Sequence, residues 1–76
     1  MQLGTRWSVG AAVPERLDAA MRDAIASVEA DVAHLDTSAW RWTLTWLESR
    51  PVAELDDGTI VRQTADGNVT VEEPAS

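Results

Sequence analysis

The sequence predicts an α+β domain of two layers: one amphipathic helix packed on a three- to four-stranded antiparallel β-meander, with a short N-terminal extended arm. Three observations carry this expectation. The run Trp40-Arg41-Trp42-Thr43-Leu44-Thr45-Trp46-Leu47 alternates large apolar and smaller polar side chains, which is the period of a half-buried strand. Upstream of it, Leu17, Met21, Ala24, Ile25, Val28, Val32 and Leu35 recur at spacings of four, three, one, three, four and three, the stripe of a surface helix. Downstream, turn signals at Glu48-Ser49, Asp57-Gly58 and Asp66-Gly67 divide short apolar runs, as in a series of hairpins.

The tryptophan run organises the rest. In an extended chain Trp40, Trp42, Leu44 and Trp46 share one face, and Arg41, Thr43, Thr45 and Leu47 share the other. Each buried Trp covers about 150–250 Å², so this face supplies much of the core that a 76-residue chain can build. A row of indoles also suits the stacking of bases or sugar rings. Here the helical stripe provides a partner for the row, so the reading is core. A nucleic-acid platform would want basic neighbours, and the chain carries a net charge of −7.

Taken in order, residues 1–13 read as an extended arm or short edge strand, with Leu3, Trp7 and Val9 alternating and Trp7 as its anchor. The helix is expected over residues 14–36. Pro14 suits a first turn, where its missing N–H is not needed. Glu15 and Asp18 complement the positive helix end, and Asp18 is spaced to pair with Arg22. Strands are expected across residues 39–72. A two-residue turn at Glu48-Ser49 sets Trp42 against Leu55, Leu44 against Ala53 and Trp46 against Pro51. That register gathers all six residues on one face, so pattern and turn agree. For the next hairpin two registers stay open: a two-residue loop puts Ile60 on the core face, and a three-residue loop puts Val61 there. Val69-Thr70-Val71 reads as a weak edge strand, and residues 73–76 as a tail.

Composition removes several functions. There is no cysteine, so disulfides, thiolate metal sites, Fe–S clusters and cysteine nucleophiles are excluded. A single His, His34, cannot build an ordinary zinc site. With Asp31 it forms at most a polar pair on the helix margin. Asp56-Asp57-Gly58 and Asp66-Gly67 offer oxygen ligands, but hairpin turns account for both and the spacing of an EF-hand loop is missing. Phosphate-binding and hydrolase motifs are absent. No catalytic, cofactor-binding or metal-binding residues are assigned, and the chain is not expected to be an enzyme. Six arginines and no lysine face thirteen acidic residues, which disfavours direct contact with nucleic acid or an anionic membrane. No signal segment or apolar span is visible, and a cytoplasmic protein is expected.

The run from Trp40 to Glu48, through Pro51-Val52 to Leu55-Asp56-Asp57-Gly58-Thr59, together with Leu3-Gly4-Thr5-Arg6-Trp7, resembles a set of short uncharacterised actinobacterial proteins. The resemblance implies no catalytic residues. An iron–sulfur oxidoreductase activity attributed to some of those proteins would find no ligands in a chain without cysteine.

What remains is surface. One helix covers one face of a sheet. The other face presents Arg41, Thr43, Thr45, Leu47, Val52 and Glu54, with either Ile60 or Val61. This patch is the candidate interface. The leading expectation is a small non-catalytic interaction module, a homodimer or an accessory subunit of a larger complex, with a protein partner and no cofactor. The alternative is an acidic inhibitor or antitoxin-like protein that masks a basic, nucleic-acid-binding partner. A third reading places a small ligand in a cleft between Trp7 and the tryptophan strand.

Overall fold

The computed structural model describes residues 5–73. Leu3 and residues 74–76 of the expected tail lie outside them. The elements follow in the order β1 (Thr5–Ser8), α1 (Ala19–Asp31), β2 (Arg41–Leu47), β3 (Arg50–Leu55), β4 (Ile60–Gln63) and β5 (Val69–Glu72). The strands form one antiparallel sheet in sequence order, and α1 packs against one of its faces, nearest β4 and β5. The α+β class is as predicted. The sheet has five strands, not three or four, because the N-terminal arm joins it: Trp7 pairs with Trp42, and Arg6 with Thr43.

The β2–β3 register is the one the alternation predicts, with Trp42 opposite Leu55, Leu44 opposite Ala53 and Trp46 opposite Pro51. Pro51 sits at the second position of β3 and is buried. The connection is the two-residue Glu48-Ser49 turn. Both residues take left-handed backbone angles, φ 52° and 66°, as in a type I′ turn, whose twist matches the flanking strands. Glycine and asparagine tolerate this conformation, whereas other residues lose roughly 1–2 kcal/mol each. Replacing the pair with Asn-Gly (Glu48→Asn, Ser49→Gly) is therefore expected to stabilise the domain by about 1–2 kcal/mol. At about 4–8 °C per kcal/mol for a domain of this size, calorimetry should show a clear rise in Tm.

The next two hairpins share a different solution. Gly58 N–H donates to the Leu55 carbonyl at 2.9 Å, and Gly67 N–H to the Thr64 carbonyl at 3.0 Å. Each closes a turn that leaves a glycine at positive φ, 102° and 89°, the left-handed position of a three-residue loop. The extra residue decides the open register: Val61 pairs with Ala53 and is fully buried, while Ile60 turns outward beside Glu54.

The helix is shorter than the stripe suggests at both ends. Pro14 does not begin it. Leu17 N–H bonds to the Pro14 carbonyl in a separate turn, and the helix starts after Asp18, whose Oδ1 accepts the Met21 N–H at 3.0 Å. Asp18 is thus the N-cap, and Glu15 lies outside the helix. Asp18 does not pair with Arg22. Its Oδ2 accepts from Gln63 Nε2 at 2.8 Å, while Arg22 Nε donates to the Leu17 carbonyl at 2.9 Å. At the other end the chain leaves the α conformation after Asp31 through irregular turns, and Leu35 is 46% exposed. The stripe misleads because Leu17 reaches the core from a turn that precedes the helix, while Val32 and Leu35 follow its end and lie outside the buried core.

Asp18 ties the helix start to β4. The hydrogen bond from Gln63, and then that from the Met21 N–H, hold its carboxyl below the ordinary value of 3.8. A pKa depressed in the folded state contributes stability that is present above the unfolded value and is lost as pH falls through the folded one. Asp36, beside the Ser38 hydroxyl, and Asp66, beside Thr64, are shifted the same way. Stability is expected to fall steadily once the pH drops below that of a free Asp. Urea unfolding followed from about pH 6 down to about pH 3 measures it, and Asp18→Asn should flatten the acid limb.

The core lies between α1 and the inner sheet face: Leu17, Met21, Ile25 and Val28 against Trp7, Trp42, Leu44, Ala53, Leu55 and Val61. Trp7 and Trp42 are stacked, with ring centroids 6.2 Å apart and planes 16° from parallel. Glu29 closes this end of the core. Its Oε2 accepts from Trp42 Nε1 at 2.9 Å and from the Gly10 N–H at 3.2 Å. The Trp7 indole nitrogen is buried with no partner among the described residues.

Candidate interface on the open sheet face

Because α1 covers one side only, every second strand residue faces away from the core. All six residues expected at the interface lie on that open side. Arg41, Thr45, Leu47 and Glu54 are exposed, and Thr43 and Val52 are half-buried. Cross-strand pairing brings them together: Thr43 lies beside Glu54, and Thr45 beside Val52. Leu47, at the end of β2, is 64% exposed.

The observed pairing adds residues to these six and decides for Ile60 over Val61. Arg6 and Ser8 join from β1, opposite Thr43 and Arg41. Arg50 lies beside Leu47. Ile60 and Arg62 come from β4, and Thr70 and Glu72 from β5. Leu47, Val52 and Ile60 thus make an apolar strip, set among threonines and charged residues. The signal that would have found the rest is the pairing of the edge strands, which depends on the arm joining the sheet and on the loop lengths of both later hairpins.

Charge is distributed very unevenly. Four of the six arginines lie on the open face: Arg6, Arg41, Arg50 and Arg62. With Glu54, Glu72 and the rim residue Asp56, this surface carries a formal +1, while the other two arginines and ten carboxylates give the rest of the chain −8. Arg62 is ion-paired with Glu72. At roughly half exposure such a pair contributes about 0–1 kcal/mol, and it orders the β4–β5 side of the patch. Asp56 Oδ2 is already engaged by the Arg41 backbone N–H at 3.0 Å. Arg6, Arg41 and Arg50 make no side-chain hydrogen bond or ion pair among the described residues.

The other candidates resolve differently. Trp7 stacks on Trp42 and both are buried, which closes the space in which a ligand cleft between them was expected. Asp57 Oδ1 accepts from the Thr59 N–H at 2.8 Å, and Asp66 holds Thr64 and Asn68 within its own hairpin. The hairpin carboxylates are thus spent on their turns. Asp31 and His34 are both exposed, and neither shares a hydrogen bond or ion pair with the other among the described residues. A shallow cleft of about 320 Å³ lies between the end of α1 and the sheet, lined by Val28, Asp31, Val32, Asp57, Thr59, Val71 and Glu73. Among the described residues no group of His, Asp and Glu is arranged to hold a metal ion, and no helix is long and apolar enough to cross a membrane.

No known protein family, curated protein or solved structure matches this chain.

Proposed function

We propose that this protein is a small non-catalytic interaction module, an accessory subunit or a homodimer, that docks through the open face of its sheet. The observation that carries this is the uncovered surface itself. An apolar strip of Leu47, Val52 and Ile60 lies on a five-stranded platform, and among the described residues no element crosses it. Interfaces concentrate apolar contacts at the centre and arginine among the contact residues, and this face has both. Strands also hold such a patch more rigidly than loops would. The reading places the protein in the cytoplasm, where a chain without cysteine has no disulfide to lose.

A second reading is an acidic inhibitor that masks a basic partner. It is favoured by the −8 carried away from the open face, including the exposed Glu15, Asp23 and Asp31. The two readings use opposite sides of the molecule. Light scattering on the purified protein, with affinity capture from the source cells, tests the first. Either a dimer or a stoichiometric partner is expected. A strict monomer that captures nothing ends it.

A further inference from the structure

We infer that the open face docks an acidic protein segment, so that this acidic chain meets its partner through an arginine-bearing surface. The inference rests on the docking role proposed above and adds the chemistry of the occupant. Three guanidinium groups, those of Arg6, Arg41 and Arg50, have no partner among the described residues and lie on the same face. Arg41 begins β2 and Arg50 pairs with its last residue, Leu47. At about 3.3 Å per residue they mark the two ends of a surface roughly 20 Å long. Thr43, Thr45, Val52 and Ile60 fill the middle, with one carboxylate, that of Glu54, between Thr43 and Ile60. An extended or helical segment with carboxylates at its ends and apolar residues between them complements that layout, because guanidinium binds carboxylate in a planar, two-pronged geometry.

Other occupants fit less well. A second copy laid face to face offers Arg6, Arg41 and Arg50 only one uncommitted carboxylate, Glu54, because Glu72 is held by Arg62 and Asp56 by the Arg41 N–H. A nucleic acid finds no stacking surface, since Trp7 and Trp42 are turned into the core, and the net charge of −7 repels a polyphosphate on approach. An acidic protein segment is repelled too, but it brings apolar side chains for Leu47, Val52 and Ile60. Docking therefore needs the cationic face and the apolar strip together.

The test uses a fluorescent peptide of alternating Glu and Leu, its Gln/Leu counterpart and a single-stranded oligonucleotide, titrated against the whole protein at low salt. The Glu/Leu peptide is expected to bind saturably and at least about tenfold more tightly than the Gln/Leu peptide. Added salt should weaken it, and Arg6→Gln, Arg41→Gln and Arg50→Gln combined should cost at least about tenfold while leaving the urea midpoint unchanged. Equal binding of the two peptides, both lost in Leu47→Asn/Val52→Asn, would overturn the acidic partner and leave the docking role standing. Failure of the Glu/Leu peptide to bind, or tighter binding of the oligonucleotide, overturns the inference. The docking role is judged separately, by partner capture.

Discussion

Trp42→Ala is expected to leave the chain unfolded. Trp42 is fully buried, pairs with Trp7 on one neighbouring strand and Leu55 on the other, and lies in the core beneath α1. Truncating a buried aromatic costs about 3–5 kcal/mol through lost transfer energy and the cavity left behind. The stacked contact with Trp7 adds about 0.5–1.5 kcal/mol. Against these stands the total stability of a chain of 76 residues, roughly 4–11 kcal/mol at the usual 0.05–0.15 kcal/mol per residue. A chain this short buries only about 60% of its unfolded surface and sits toward the low end of that range, where the loss takes most or all of the margin. The variant should show no cooperative urea transition and a tryptophan emission shifted to the red. Trp40→Ala and Trp46→Ala remove only half-buried rings and should keep a cooperative transition. A Trp42→Ala protein that still unfolds cooperatively near the wild-type midpoint would show that the core lies elsewhere.

Glu29→Ala carries the second-largest effect. One oxygen of Glu29 receives both the Trp42 indole N–H and the Gly10 backbone N–H. Hydrogen bonds to charged groups contribute about 1.5–3 kcal/mol, and a buried donor left unpaired adds its own desolvation penalty. A loss of about 2–3 kcal/mol is expected, which lowers Tm by ten degrees or more at about 4–8 °C per kcal/mol. Glu29→Gln keeps a carbonyl acceptor and should lose much less. Trp42→Phe removes the donor, so the Glu29→Ala and Trp42→Phe costs should be less than additive in a double-mutant cycle. Trp7→Phe removes an indole N–H that has no partner, so it should show no such coupling. Calorimetry on the four single variants and on the Glu29→Ala/Trp42→Phe and Glu29→Ala/Trp7→Phe double variants checks all of this.

The legible and illegible parts of the fold separate along physical lines. The β2–β3 hairpin could be read residue by residue because two independent signals, side-chain alternation and a two-residue turn, select one register. The β3–β4 register could not, because Asp57-Gly58 serves a two- or three-residue loop. The sign of Gly58 φ and its bond to Leu55 decide it. The apolar stripe runs past both helix ends because burial and helicity are separate properties: Leu17 joins the core from non-helical backbone, and Val32 and Leu35 lie beyond the helix and outside the core. The strand Thr5–Ser8 was half-visible. Trp7 marked it as an anchor, but pairing with β2 is a long-range contact across a helix and leaves no local trace.

The candidate interface divides in the same way. Arg41, Thr43, Thr45, Leu47, Val52 and Glu54 followed from alternation within two strands. Arg50 extends the same hairpin by one pair, the three-residue loop decides for Ile60 over Val61, and Arg6 and Arg62 join only once the outer strands are paired in the five-strand order. That order also separates a cationic face from a chain whose net charge is −7, a contrast that composition averages away.

The inner, tryptophan-bearing face builds the fold, and the proposed contacts are made by the open face. Quantitative affinity capture from the source cells tests this division most directly, with three baits of equal stability: the wild-type chain, the open-face variant Leu47→Asn/Val52→Asn and the helix-side variant Glu15→Gln/Asp23→Asn. A partner held by the wild-type and helix-side baits but missing from the open-face bait is the predicted result. A partner that stays on the open-face bait and leaves the helix-side bait would contradict it, and would assign the contacts to the acidic side of the molecule.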